Sequence, residues 1–287
     1  MKKFFKKIIC ISLISFYFLK VEEVQSLVPY YYFPTIRNIQ KESLTIGKNA
    51  YQLLYFGQHK ESLNLAKLAV EINKTDEQLW LILAEAQVAN KLYKKALSSL
   101  NKAQKINSNI SEIYFAKSNI YLKLSQKINA KNSLETGLNF DPNNHKAIFQ
   151  LGNIFLMEKN YTNAIKYFDK SIAIKPNFWQ AINNKGLAYF EKNNINQSKK
   201  FFEEAISIEN NAEPLLGLAT CLRKKDIKLA IELAKKALTK NPNYVSYDYR
   251  KEQLWGEKLQ KSTEILLQNN QLQKDVILAK SKINTSS

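Results

Sequence analysis

The chain has little of the chemistry from which enzymes and disulfide-stapled proteins are built. Its 287 residues include two cysteines, two histidines, seven glycines and six prolines. Cys10 lies in the extreme N-terminal segment and Cys221 far from it, so no internal disulfide framework is expected and stability must come from packing. Cys221 reads as a small buried thiol. His59 and His145, at a turn and at a helix start, lack the neighbours that metal binding or general-base work requires, and both are read as solvated. Seven glycines leave no room for a phosphate-cradling loop. The adjacent acids Glu203 and Glu204 stand among lysines, where pairing along a helix accounts for them. The expectation is a protein that is not an enzyme and holds neither metal nor cofactor.

Arginine is scarce as well. Arg37, Arg223 and Arg250 are the only three, so lysine supplies almost all of the 43 basic residues, which against 25 acidic ones leave a net charge of +18. Proteins that read phosphates and bases favour the bidentate guanidinium, so a nucleic-acid partner is not expected. Thirty asparagines accompany the lysines. Codons for Lys, Asn and Ile are A/T-rich, and a biased genome accounts for the balance without selection. The competing reading is attraction to an acidic protein or an anionic membrane, which salt would weaken.

The N-terminal segment has its own character. Residues 1–26 begin Met-Lys-Lys-Phe-Phe-Lys-Lys, continue apolar from Ile8 to Leu19 and reach Val24-Gln25-Ser26. This order of basic region, apolar core and small-residue site reads as an export signal, and its apolar core of about 12 residues is short against the roughly 20 of a spanning helix. The alternative is an uncleaved anchor. No small residue precedes Cys10 where lipidation would need one. Residues 27–42 form a second segment, in which Pro29-Tyr30-Tyr31-Tyr32-Phe33-Pro34 is not compatible with regular helix and is expected to pack on the helical region C-terminal to it.

From there a period takes over. Small residues stand at Ala69, Ala103, Gly137, Ser171 and Ala205, each 34 after the last, and a second small register runs Ser62, Ala96, Ala130, Ala164, Ser198. A fixed period of this length means one supersecondary unit in tandem. Asp141-Pro142-Asn143-Asn144 and Lys175-Pro176-Asn177 punctuate it, because proline cannot continue a helix. In residues 145–178, Ile148, Leu151, Gly152, Phe155, Ala164, Phe168 and Pro176 fall on the pattern W-x2-L-G-x2-Y, A-x3-F, P. That unit resembles the tetratricopeptide repeat.

The resemblance implies an all-α, right-handed α-solenoid of helix-turn-helix units at 43–76, 77–110, 111–144, 145–178, 179–212 and 213–244. The sixth is two residues short, from its first helix or from the turn near Lys224, Lys225 and Asp226. Positions eight and twenty face each other where the two helices of a unit cross, so small residues there let the backbones approach. Residues 245–287 are expected to supply a capping helix, with Trp255, Leu259, Ser262 and Leu266 at helical spacing, and a polar tail from Lys280.

Such arrays bind partners in the concave groove of their first helices. Carried onto this chain, the family's groove positions are Phe115, Asn119, Leu122 and Lys123 in the third unit, Lys146, Phe149, Asn153, Leu156 and Met157 in the fourth, and Asn183, Leu187 and Phe190 in the fifth. Glu112, Gln180 and Glu191 fall on the same positions. Phe115 and Phe149 would form an exposed aromatic pair suited to an extended peptide or an amphipathic helix. The family's carboxylate clamp is not expected, because Phe115 stands where it needs lysine. The reading is an exported, monomeric, non-catalytic scaffold for a protein or peptide partner. The alternative is a peripheral membrane organiser that uses the lysine-rich surface and the Tyr30–Phe33 segment.

Overall fold

The computed structural model describes residues 35–284, which are helical with no strand among them. Residues 1–26 and the aromatic stretch Pro29–Pro34 lie outside the described residues. Twelve helices form six successive pairs. These are α1 (Ile36–Tyr55) with α2 (His59–Ile72), α3 (Glu77–Ala89) with α4 (Tyr93–Ile106), and α5 (Ser111–Lys123) with α6 (Lys127–Phe140). The series continues with α7 (His145–Met157) and α8 (Tyr161–Ile174), α9 (Trp179–Glu191) and α10 (Ile195–Ile208), and α11 (Ala212–Leu222) and α12 (Ile227–Lys240). A 3-10 turn at Pro242–Val245 then leads to α13 (Tyr247–Glu252), α14 (Glu257–Leu267) and α15 (Gln273–Asn284).

Three devices make the pairs alike. The first is at the crossing. Ser62 Oγ donates to the Ala50 carbonyl (2.7 Å) and Ser198 Oγ to the Gly186 carbonyl (2.9 Å), so where serine replaces alanine in the second small register it still lies against the backbone of the first helix. The second is a large side chain pressed on a small one. The buried Phe168 ring covers Gly152, where an added Cβ would fall 2.5 Å from Phe168 Cε1.

The third is the turn inside each pair. Gly57, Lys91, Ser125, Lys159 and Asn193, spaced by 34, all have positive φ between 59° and 75°. After each, the next amide bonds back to a carbonyl five residues earlier, as Leu92 N–H does to Gln87 (2.8 Å) and Asn160 N–H to Phe155 (2.9 Å). This pattern satisfies the last carbonyls of the first helix. In the sixth pair the first helix is 11 residues long instead of 13, and no positive-φ residue marks its turn. The missing two residues are therefore lost from α11, and the turn is rebuilt through Asp226, whose side chain accepts from Leu229 N–H.

Two expectations need correction at the ends. α1 starts at Ile36, inside the segment 27–42, because Thr35 caps it by accepting from Asn38 N–H, so helix begins well before the expected unit boundary. At the other end α15 runs through to Asn284, with Val276 and Ala279 buried, so residues 280–284 are helix rather than loose tail.

First helices of neighbouring pairs approach one another, α1 with α3, α3 with α5, α7 with α9 and α9 with α11, whereas each second helix meets the next pair through that pair's first helix. The first helices are thus the inner row and the second helices the outer row. Each pair buries its apolar face against the next, which no pair could do alone. Cys221 is buried and free, its thiol 3.5 Å from Ser198 Oγ and pushed up to about 12 by burial.

Candidate functional site

The inner row carries the twelve candidate groove residues, and the structure divides them. In α5, Phe115 is half-buried because its ring lies on Gly137 of α6, where a Cβ would meet Phe115 Cε1 at 2.5 Å. In α7, Phe149 is half-buried, edge-on to Phe178 at 5.0 Å and tilted against Phe168 at 5.8 Å. Each ring is thus engaged by its own neighbours rather than standing free beside the other. Leu122 and Met157 are also half-buried, Lys123 and Lys146 are exposed, and Leu156 is buried.

Amides run along this face. Gln150 Nε2 donates to Asn119 Oδ1 (2.8 Å), and Asn184 Nδ2 donates to Asn153 Oδ1 (2.8 Å). The two bonds are one repeat apart, so the same acceptor position recurs. Asn183 Nδ2 then donates to Asn184 Oδ1 (3.1 Å). Linked in this way, the amides hold one another's orientation.

In the fifth unit the expected open positions are closed. Asn183, Leu187 and Phe190 are buried. The reason is the C-terminal segment, expected to cap the last repeat and found to fold back over the inner row. α14 packs on both α9 and α11, as well as on α12. Glu191 accepts from the backbone N–H groups of Lys258 (3.3 Å) and Leu259 (2.9 Å), which caps the N-terminus of α14, while Lys258 Nζ donates to the Glu191 carbonyl (2.6 Å). Gly256 is required there, since a Cβ would fall 2.3 Å from the Glu191 carboxyl carbon. Trp255 Nε1 donates to Glu213 Oε1 (3.0 Å), the hydroxyls of Thr220 and Thr263 meet at 2.9 Å, and Glu257 pairs with Lys159 of the fourth unit at 2.7 Å.

The segment is itself knit together by Arg250, whose side chain is fully buried. Its guanidinium donates to Gln260 Oε1 (2.8 Å) and to the carbonyls of Tyr244 (2.7 Å) and Val245 (3.1 Å), and pairs with Glu264. α15 packs on α12 and the 3-10 turn, and that helix supplies the terminal cap. Trp255 precedes α14 in a turn rather than lying on a helix.

Between the segment and the inner row lies a cavity of about 670 Å³. Phe149, Trp179, Tyr244 and Tyr249 give it aromatic walls, and amides such as Asn153 and Asn184 line it together with Glu213 and Glu252. Burial pushes the Glu213 carboxyl up to about 7, against the opposing pull of donors on Trp255, Asn183 and Tyr244. A smaller, mainly apolar cavity of about 370 Å³ lies on the inner row of the first three units, among Leu54, Val88 and Ala116, with Glu85 and Asn119 at its edge. Burial raises the Glu85 pKa.

His145 was expected to be solvated and is instead half-buried. Its ring is edge-on to Phe178 at 5.1 Å, and its pKa is lowered by burial and by Lys175 and Lys146. Among the described residues, no group of three or more His, Cys, Asp or Glu side chains is placed to hold a metal ion. No described helix is long and apolar enough to cross a membrane. Glu213, Asn184 and the Trp255 turn were not legible as site residues. Their one signal in the sequence is Gly256, a glycine outside the repeats.

Helix pairs that cross at small residues and stack so that the first helices form one inner row define an α-solenoid. More narrowly, the chain carries tetratricopeptide repeats: family models described as tetratricopeptide repeat match residues 145–178, and 111–144 with 180–211. A tetratricopeptide repeat protein from Parabacteroides merdae superposes with a TM-score of 0.61 at 18% identity, over 84% of this chain and 99% of that one. MamA from Desulfovibrio magneticus RS-1 gives 0.53 at 18% identity, over 58% and 95%. The Cut9–Hcn1 hetero-tetramer gives 0.63 at 15% identity, over 79% of this chain and 43% of that one. At these identities the likeness is one of fold. No curated protein matches.

Proposed function

We propose that the chain is a non-catalytic scaffold that holds a peptide or helix of a partner protein on the concave face of units two to four, with its own C-terminal segment as the end wall of the groove. One observation carries this. The chain already places a helical segment of its own on the inner row of units five and six, so this surface is built to take such a segment, and the same row in units three and four keeps accessible side chains at Asn119, Lys123, Asn153 and Met157. The two cavities lie at either end of that accessible stretch. We also read residues 1–26 as an export signal, which places the scaffold outside the cytoplasm, where it serves assembly of a membrane or envelope complex.

A photo-crosslinking residue at Asn119 or Asn153, compared with one at the exposed outer-row Asn101, tests the groove reading in cells. Discrete adducts from the first two and none from Asn101 are expected. Equal adducts at all three positions, or none in the groove, overturn it. N-terminal sequencing of the recovered protein tests the signal, since a chain still beginning at Met1 in the cytoplasm contradicts export.

A further inference from the structure

The basic charge is not dispersed over the fold. In pairs two to six the inner helices carry four lysines and five glutamates, whereas the outer helices carry fourteen lysines and five acids; pair one does not share this sorting, α1 holding Arg37, Lys41 and Lys48 against Glu42 and α2 two lysines against two glutamates. α4 is the extreme case, with Lys94, Lys95, Lys102 and Lys105 all exposed and no acid. Burial of the inner row excludes lysines and acids alike, yet in these pairs the acids are equal in number on the two rows and the lysines are not. A coding bias towards lysine does not account for that difference in sign.

Apolar side chains stand exposed among these lysines. Ile128, 75% exposed, lies beside Lys127 and close to Lys131 on α6; Ile227 and Leu229 flank Lys228 on α12; Ile106 follows Lys105 at the end of α4. Point-like ammonium groups with interspersed apolar residues suit a surface whose negative charges are mobile and whose interior is apolar. Fixed phosphate geometry on a nucleic acid favours arginine, and the six outer helices contain none.

We propose that the outer face of the solenoid, centred on α4 and α6, docks on an anionic lipid surface and leaves the concave groove facing away from the bilayer. This stands independently of what the groove holds. The test is sedimentation of the full chain with vesicles of phosphatidylcholine alone and of phosphatidylcholine mixed with phosphatidylglycerol. Binding to the mixed vesicles only, weakening steeply as salt rises from about 50 to about 500 mM, is expected.

A variant with Lys94, Lys95, Lys102 and Lys105 all changed to Gln should lose about tenfold or more of its vesicle partitioning. An equal removal of charge at Lys123, Lys146, Lys251 and Lys261 should cost much less. Ile128→Ser should weaken binding without changing the salt slope. Equal losses in the two quadruple variants overturn the proposal, since net charge alone would then be responsible. Binding to a DNA or RNA duplex with none to either vesicle also overturns it, in favour of nucleic acid.

Discussion

Gly152 and Gly186 occupy the same repeat position in neighbouring units, yet the structure predicts unequal responses to one added methyl. At Gly152 a Cβ would fall 2.5 and 2.6 Å from Phe168 Cε1 and Cδ1, and carbon atoms rest about 3.5–4.0 Å apart, so the ring would have to retreat by about 1 Å. That ring is fully buried and touches Phe149, so it has no free space to enter. Overpacking costs about 1–3 kcal/mol, and a ring with no space to retreat into puts this case at about 2–3 kcal/mol. Replacing a mid-helix glycine by alanine returns about 1 kcal/mol. Gly152→Ala should therefore destabilise by about 1–2 kcal/mol. At Gly186 the nearest Phe202 atoms would be at 3.0 Å, half the displacement suffices, and Gly186→Ala should lie within about 0.5 kcal/mol of the parent. Urea titration followed by circular dichroism at 222 nm, with amide exchange in α7 and α8 to localise the effect, compares the two. If Gly152→Ala matches or exceeds the parent in stability, the ring-on-glycine account of the crossing is wrong.

Single contacts set the other expected outcomes. Lys91 holds a left-handed conformation at φ 59° that glycine adopts without cost, so Lys91→Gly should stabilise by about 1 kcal/mol, read as a higher urea midpoint. Glu213 is raised from 4.5 to about 7 in the folded state, so the stability linked to its protonated form is full below pH 4.5 and is lost as pH rises through about 7. The difference in unfolding free energy between the parent and Glu213→Gln should thus move by up to about 3 kcal/mol in favour of the variant between pH 4.5 and 8, and a pH-independent difference would contradict the burial. Arg250→Ala leaves Gln260 and two carbonyls without their donor and should free the C-terminal segment, raising amide exchange in α14 and exposing Leu187 and Phe190 to a hydrophobic dye. Phe149→Ala should cost more stability than a groove residue that merely touches a partner, about 2–3 kcal/mol given its contacts with Phe168 and Phe178.

The repeats were legible because their determinants are local and recur. A small side chain at each crossing and a turn every 34 residues specify a pair wherever they occur, and Ser62 and Ser198 keep that rule by bonding to the facing backbone. The C-terminal fold-back was not, because its contacts join residues 42 to 98 apart in sequence and occur once each, as between Trp255 and Glu213 or Lys159 and Glu257. Groove positions read from a repeat pattern are the same whether the groove is empty or filled. That is why Asn183, Leu187 and Phe190 looked available. The same logic hid His145, whose packing depends on Phe178 at the start of the next helix pair.

The fold-back also has a mechanical meaning. A plain solenoid behaves like a coil spring, because each turn touches only the next. Here α14 and the turn before it bridge units four, five and six, and one large apolar core runs from Phe155 to Ala279, while the chain before it is divided between two smaller cores, Ala50 to Ile120 and Ala130 to Ile154. The C-terminal half is therefore braced against bending and the N-terminal half is left compliant. A partner entering the groove would be gripped by curling the compliant half around it, with the braced half as the fixed jaw.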